Sequence, residues 1–211
     1  IDGLTIQNGS TSGLYGKGGG IRVESQGQIS LTNNILINNT SYDGSGAYIE
    51  GDVTFSNNVT FSNNTVSSNT ATHTGTVTIN DGNATITNNI ITNNSAQYIG
   101  GIDVDGHGVL DAVITNNVIS SNDGRGIYVD CLAVITNNTV SNNGSGIMIN
   151  NGGTIINNLI SDNTGYGIIA EGGYSTKVDG VITGSAVITG NTIVNNDTGL
   201  IFSLGFDEEK V

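Results

Sequence analysis

Apolar and polar residues alternate in short bursts along this chain, never in long runs. Between Leu132 and Asn151 (LAVITNNTVSNNGSGIMINN), Ala133 and Ile135 alternate with Val134 and Thr136, Thr139-Val140-Ser141 forms a second extended run, and Ile147 and Ile149 alternate with Met148 and Asn150. A two-residue period is the mark of strands, and the Asn, Gly and Ser residues between the runs mark corners. Each run is too short to stand alone and too rich in Gly and Asn to be helical. Its backbone groups therefore need like neighbours above and below. The pattern predicts one coil of a stacked β-solenoid, with three short strands per coil.

The rest of the chain supplies those neighbours. Copies of the unit align at Leu4, Asn34, Asn64, Asn89, Asn117, Asn138, Asn158 and Asn191, with spacings of 30, 30, 25, 28, 21, 20 and 33 residues. These are about eight coils, with a base coil of about twenty residues and the excess carried in loops. Insertions at residues 10–17 and 40–45 fall at one corner. The hexapeptide VTFSNN is duplicated in tandem from Val53 and Val59, and the second copy is taken as the one in register. Coil 4 extends through Gly106-His107-Gly108, and coil 7 ends in a polar excursion over residues 172–185. The first copy begins abruptly, so the chain is expected to be a segment of a longer protein. Residues 1–204 read as one parallel β-helix and residues 205–211 as a tail or linker.

Composition narrows the picture. Pro is absent, as suits strands paired on both sides. No apolar stretch approaches the eighteen or so residues of a membrane-spanning helix, so no membrane insertion by this segment is expected. The net charge is −13, from 5 Lys and Arg against 18 Asp and Glu. That balance excludes nucleic acid as a natural partner, because a phosphate backbone would be repelled. Cations and neutral glycans are easier partners. The single cysteine, Cys131, has no disulfide partner within the chain and is expected to be an inert, partly buried thiol.

In a solenoid, equivalent positions stack into columns. The column from Asn34 to Asn191 predicts an internal Asn ladder, since an inward corner Asn can bond its amide to the copies above and below. Leu4 takes its place in coil 1, where the ladder should end. A column of Thr and Val on the outside of the first strand (Thr87, Thr115, Thr136 beside Thr85, Val113, Val134) fits an ice-binding face, and equally fits ordinary β propensity. The outer side of the third strand carries more chemistry. Its last outward position reads Glu24, Glu50, Asn80, Asp105, Asp130, Asn150, Glu171 and Ser203, and the one before it includes Tyr48, Asp103 and Tyr128. Asp103, Asp105 and Asp130 should lie on one face of adjacent rungs, close enough to share a proton or a cation, of which calcium suits hard oxygen ligands. His107 follows at the same edge, and Tyr15, Tyr42, Tyr98 and Tyr166 occupy the preceding corner loops. Ligand-binding candidates are Tyr48, Tyr98, Tyr128, Glu50, Asp105 and Asp130. Asp103, Asp105, Asp130 and His107 are the catalytic candidates if the chain is an enzyme, and no cofactor beyond calcium is expected.

The unit I-T-N-N-x-h-x-x-N followed by G-h-x-h resembles the repeats of right-handed parallel β-helix proteins of the pectate-lyase-like superfamily, and the likeness covers nearly the whole chain. Gly18-Gly19-Gly20-Ile21, Gly100-Gly101-Ile102 and the two Phe-Ser-Asn-Asn runs also resemble the repeats of polymorphic outer-membrane adhesins. The resemblance implies fold more than function, because such proteins include polysaccharide hydrolases, lyases, adhesins and surface proteins. Polygalacturonase-like members share N-x-D, D-D, G-H-G and R-x-K motifs, and only Gly106-His107-Gly108 matches. Lyases of this fold use Arg or Lys beside acid-bound calcium, and Arg125 alone among the basic residues is near Asp130. The expected protein is thus an extracellular or cell-surface structural or adhesive β-helix. Its partner would be a glycan or another surface protein, and its open end strands would favour end-to-end self-association. A glycoside hydrolase or lyase is the alternative.

Overall fold

The structure is a computed structural model, and it describes residues 1–13, 15–25, 27–51, 58–106, 111–171 and 186–203. The first hexapeptide of the tandem duplication, His107 with its Gly-His-Gly setting, the excursion after coil 7 and the tail fall largely or wholly outside those residues. Among the described residues every regular element is a strand, and every strand pair is parallel. The reference coil comprises Leu132–Thr136, Thr139–Ser141 and Ser145–Asn150. Its three strands enter three separate sheets, of seven, eight and eight strands, in which each coil pairs with the next. The architecture is a right-handed parallel β-helix of about eight coils.

Each Asn-Asn pair divides its work between two conformations. The first Asn turns the chain: Asn33, Asn63, Asn88, Asn116, Asn137 and Asn157 all have φ between 55° and 58°. Asn tolerates this left-handed conformation better than most side chains, and the pleated strand must stop there. The second Asn then points inward. Asn64, Asn89, Asn117 and Asn138 are buried, and each Oδ1 accepts both the backbone N–H and the Nδ2–H of the Asn in the coil before it. Each Nδ2 also donates to a strand carbonyl of the preceding coil, as Asn117 does to Ile86 O at 2.9 Å. At coil 1 the column ends as expected, with only the backbone N–H of Leu4 donating to Asn34 Oδ1.

A second ladder runs parallel to the first. Five residues after each ladder Asn comes another: Asn39, Asn69, Asn94, Asn122, Asn143, Asn163 and Asn196, bonded in the same pattern. Every one follows a residue of positive φ, namely Asn38, Ser68, Asn93, Ser121, Asn142, Asp162 or Asn195. The short second strand is therefore clamped at both corners. Between the ladders lies a one-coil-wide apolar core, with Leu31, Phe61, Ile86, Ile114, Ile135 and Ile155 in one stack and Leu36, Val66, Ile91, Ile119, Val140 and Ile160 in another. Each such side chain contributes roughly 1.5–3 kcal/mol through burial.

One expectation changes and another is borne out. The corner insertions are more than loops in coils 2 to 4, where Thr40–Asp43, Thr70–Thr74 and Ser95–Ala96 pair into a fourth, three-stranded sheet. Their apolar signal is minimal, one inward Ser or Ala per strand, so period-2 reading passes over them. In coil 3 the second hexapeptide is the one in register, since Val59 and Phe61 pair with Ile29 and Leu31 and Asn64 joins the ladder.

Candidate functional site

The fourth sheet lies against the third through its Thr70–Thr74 strand, and its Tyr42 and His73, with Tyr15 and Tyr98 from the flanking corners, form an aromatic ribbon across four coils. Tyr15 meets Tyr42 edge to face with ring centroids 5.6 Å apart, Tyr42 stacks on His73 at 4.7 Å with planes 9° apart, and His73 meets Tyr98 edge to face at 5.3 Å. Parallel pairing sets this spacing, because neighbouring rungs lie about 4.8 Å apart and corresponding side chains superpose. A register slip between Ser41 and Asp43 gives the Thr70–Thr74 strand one extra residue, and Tyr42 and Asp43 face His73 and Thr74 across it. His73 Nδ1 lies 3.0 Å from Asp43 Oδ1, which also accepts the Thr74 backbone N–H. The ribbon is open at its ends: Tyr15 is 74% and Tyr98 47% exposed. Tyr166, in coil 7, stands apart from it.

Beneath the ribbon the acidic column departs from its expected exposure. Asp103 is 6% exposed, covered by the Thr70–Thr74 strand, whose Thr74 hydroxyl donates to Asp103 Oδ2 at 3.0 Å. Burial pushes its carboxyl up to about 7, with Asp105 and Asp43 adding repulsion and the Thr74 hydrogen bond opposing. Asp105 and Asp130 are half-buried and directly in register on adjacent rungs, whereas Asp103 is in register with Tyr128. Asp130 Oδ1 accepts Asn151 Nδ2 at 2.5 Å. Among the described residues no group of three His, Cys, Asp or Glu side chains is arranged to hold a metal ion.

Tyr48 was expected to offer its ring to a ligand, and it is 1% exposed. Lys17 covers it, with Nζ 4.5 Å from the ring centroid and 3.4 Å from Glu50 Oε2. The Tyr48 hydroxyl accepts from Asn80 Nδ2 at 2.9 Å. The reason is tertiary: the insertion of coil 1 folds over a position that strand alternation alone places in solvent. Tyr128 is half-buried, accepts from Asn150 Nδ2 in the same way, and has Arg125 over its ring at 5.9 Å. Arg125 is thus committed to an aromatic face. Burial pushes the Tyr128 hydroxyl up to about 12. The structure therefore stacks Asp105 on Asp130 and Asp103 on Tyr128, keeps Tyr98 on the ribbon before the start of the Ile99–Asp105 strand, and sequesters Tyr48 and Asp103. Sequence reading missed His73, although it occupies the same corner as Tyr42 and Tyr98.

On the opposite side, the Thr and Val columns are in register, Thr85 against Val113, Val113 against Val134 and Val134 against Thr154. Hydroxyl and methyl rungs alternate irregularly there, and no hydroxyl ladder is continuous along the column.

The model of a protein family described as Right handed beta helix region matches residues 75–207 of the chain. No curated protein and no solved structure matches it.

Proposed function

This chain belongs to the right-handed beta helix family, whose fold holds side chains in long columns, and from that premise we propose that it is a non-enzymatic rod of the cell surface or extracellular space that binds glycans along its aromatic and acidic side. The observation that carries this reading is the ribbon Tyr15, Tyr42, His73 and Tyr98, with Asp43 bonded to His73 within it and the stacked pair Asp105 and Asp130 farther along the third sheet. Aromatic faces stack on the apolar faces of sugar rings, and carboxylates accept hydrogen bonds from sugar hydroxyls. The net charge of −13 selects neutral or cationic glycans over acidic ones. Calcium, drawn to Asp105 and Asp130, would bridge this side to acidic polysaccharides.

Calorimetry with neutral, cationic and acidic polysaccharides, with and without calcium, tests the reading on the native chain, on Tyr42→Ala with Tyr98→Ala, and on Asp105→Asn with Asp130→Asn. Binding heat to a neutral or cationic glycan that the tyrosine variant loses supports it. No heat with any glycan overturns it.

One observation favours a second reading, a polysaccharide hydrolase. A carboxyl pushed up to about 7 is still partly protonated at neutral pH, as a general acid must be, and the Asp105 and Asp43 carboxyl groups lie near it. Reducing-end release by the native chain, abolished in Asp103→Asn, would establish this reading in place of the first.

A further inference from the structure

Asn-x-Ser/Thr triplets occur at ten places along the chain, and the structure sorts them into three kinds. In Asn58-Val59-Thr60 and Asn83-Ala84-Thr85 the asparagine opens a strand, and Asn83 Oδ1 accepts from the Asp111 backbone N–H. In Asn39-Thr40-Ser41, Asn143-Gly144-Ser145 and Asn196-Asp197-Thr198 the asparagine is a ladder residue whose Nδ2 donates to a strand carbonyl of the preceding coil. In Asn8-Gly9-Ser10, Asn38-Asn39-Thr40, Asn63-Asn64-Thr65, Asn93-Asn94-Ser95 and Asn137-Asn138-Thr139 it is the corner residue. Those five asparagines are exposed and have φ between 55° and 59°. Among the described residues their side-chain amides make no hydrogen bond, unlike the corner Asn33, which donates to Asp2. The third-position hydroxyls are exposed or half-buried and equally unengaged.

We propose that Asn8, Asn38, Asn63, Asn93 and Asn137 are acceptor sites for asparagine-linked glycans. The triplet is the acceptor sequence of that modification and requires a surface position. The co-substrate is a lipid-phosphate-linked oligosaccharide. Asn Nδ2 forms a bond to the anomeric carbon, the bond from that carbon to the phosphate oxygen breaks, and the lipid phosphate leaves with the electron pair while Nδ2 gives up one proton. Asn8 and Asn38 occupy adjacent rungs, with Asn8 N donating to Ile37 O at 3.3 Å. Rungs about 5 Å apart leave no room for two branched glycans, so these two sites exclude each other.

Position gives the modification a role. Asn63 and Asn137 sit at the corner where the chain enters the second sheet, and Asn8, Asn38 and Asn93 at the corner where it leaves. Between them lies a face whose strands, from Thr5–Gln7 to Thr192–Val194, contain no charged residue. Ile35, Ile90, Val118 and Leu159 are each between 41% and 48% exposed on it. An uncharged face bearing large apolar side chains is an aggregation liability. Glycans rooted on both of its edges cover it and leave the aromatic and acidic side bare.

The test is secretion of the full chain from a host with an asparagine-linked glycosylation pathway. Peptide mapping follows treatment with the amidase that removes such glycans and leaves aspartate at each occupied site. Expected are aspartates at Asn63, Asn93, Asn137 and one of Asn8 or Asn38, with the ladder asparagines Asn39, Asn143 and Asn196 unchanged. Thr65→Ala with Thr139→Ala should lose the glycans of Asn63 and Asn137 while the chain melts as before. A secreted chain without glycan, or with glycan on Asn39, Asn143 or Asn196, overturns the assignment. The shielding role is read by sedimentation of the glycosylated chain against a variant with Ser10, Thr40, Thr65, Ser95 and Thr139 all changed to Ala. Concentration-dependent association of the variant alone supports the role, and equal behaviour overturns it.

Discussion

Asn117 gives Asn138 two hydrogen bonds at once: its backbone N–H reaches Asn138 Oδ1 at 2.9 Å and its Nδ2–H reaches the same oxygen at 3.0 Å. One side-chain oxygen thereby satisfies a turning backbone and a buried amide. The same exchange recurs coil by coil in two columns, so the side chains that hold the corners also fix how the coils stack.

Replacing Asn117 or Asn138 with Ala should destabilise the chain by about 1–3 kcal/mol, because it leaves buried donors and acceptors unpaired. Asn122→Ala, in the second ladder, should cost as much. Thr136→Ala removes only a half-exposed hydroxyl bonded to Thr115 and should cost about 0.5 kcal/mol. Urea melts of the four variants provide the comparison, and equal effects would remove the distinction between ladder and surface.

Gly146→Ala should be at least as damaging as a ladder change. A Cβ there would lie 2.1 Å from Gly167 O and 2.7 Å from Ile160 Cγ2, and backbone on an adjacent rung cannot retreat without breaking its own pairing. Overpacking of this kind costs about 1–3 kcal/mol or more. A variant melting like the native chain would show that the third strand can shift outward.

The Asp103 carboxyl gives stability a pH dependence. Folded, it keeps its proton up to about pH 7, whereas the unfolded chain releases it near the ordinary value of 3.8. Its contribution is complete below 3.8, falls as pH rises through that window, and is gone once pH passes about 7. At roughly 1.4 kcal/mol per unit the upper figure is about 4 kcal/mol. Asp103→Asn cannot ionise, so its stability relative to the native chain should rise between pH 4 and pH 8. Urea melts across that range that run parallel for the two proteins would show that Asp103 is ionised in the fold.

Cys131 is fully buried, and burial pushes its thiol up to about 12. Thiolate is the reactive form, so the native chain should resist thiol reagents at neutral pH and react only on unfolding. The labelling rate should therefore track the population of opened molecules across a urea titration. Rapid labelling in native buffer would place the third-strand turn of coil 5 in frequent local opening.

Much of the fold was legible in the sequence because a solenoid writes its tertiary contacts as repetition. Ile86, Ile114 and Ile135 recur at the same place in the unit, and in the structure they stack directly on one another. The second ladder was equally present in print, five residues after the first. It escaped notice because Asn122 or Asn143, taken singly, looks like any polar turn residue. The candidate site was less legible. Tyr98, Asp105, Tyr128 and Asp130 could be aligned by counting, but Tyr48 and Asp103 could not be recognised as buried, nor His73 as part of the aromatic ribbon.

The sequence by itself determined the strand period, the coil number, the register of each core column and the inward turn of the first Asn ladder. Those follow from local alternation and from the need of every short strand for an identical neighbour. Only the tertiary structure decided what the insertions do. Their residues carry too little apolar signal to be assigned to a sheet, yet stacked on one another they pair, fold across the third sheet and remove Tyr48 and Asp103 from water. Desolvation depends on which segment lies over a side chain, and that is a contact between coils that no single coil encodes.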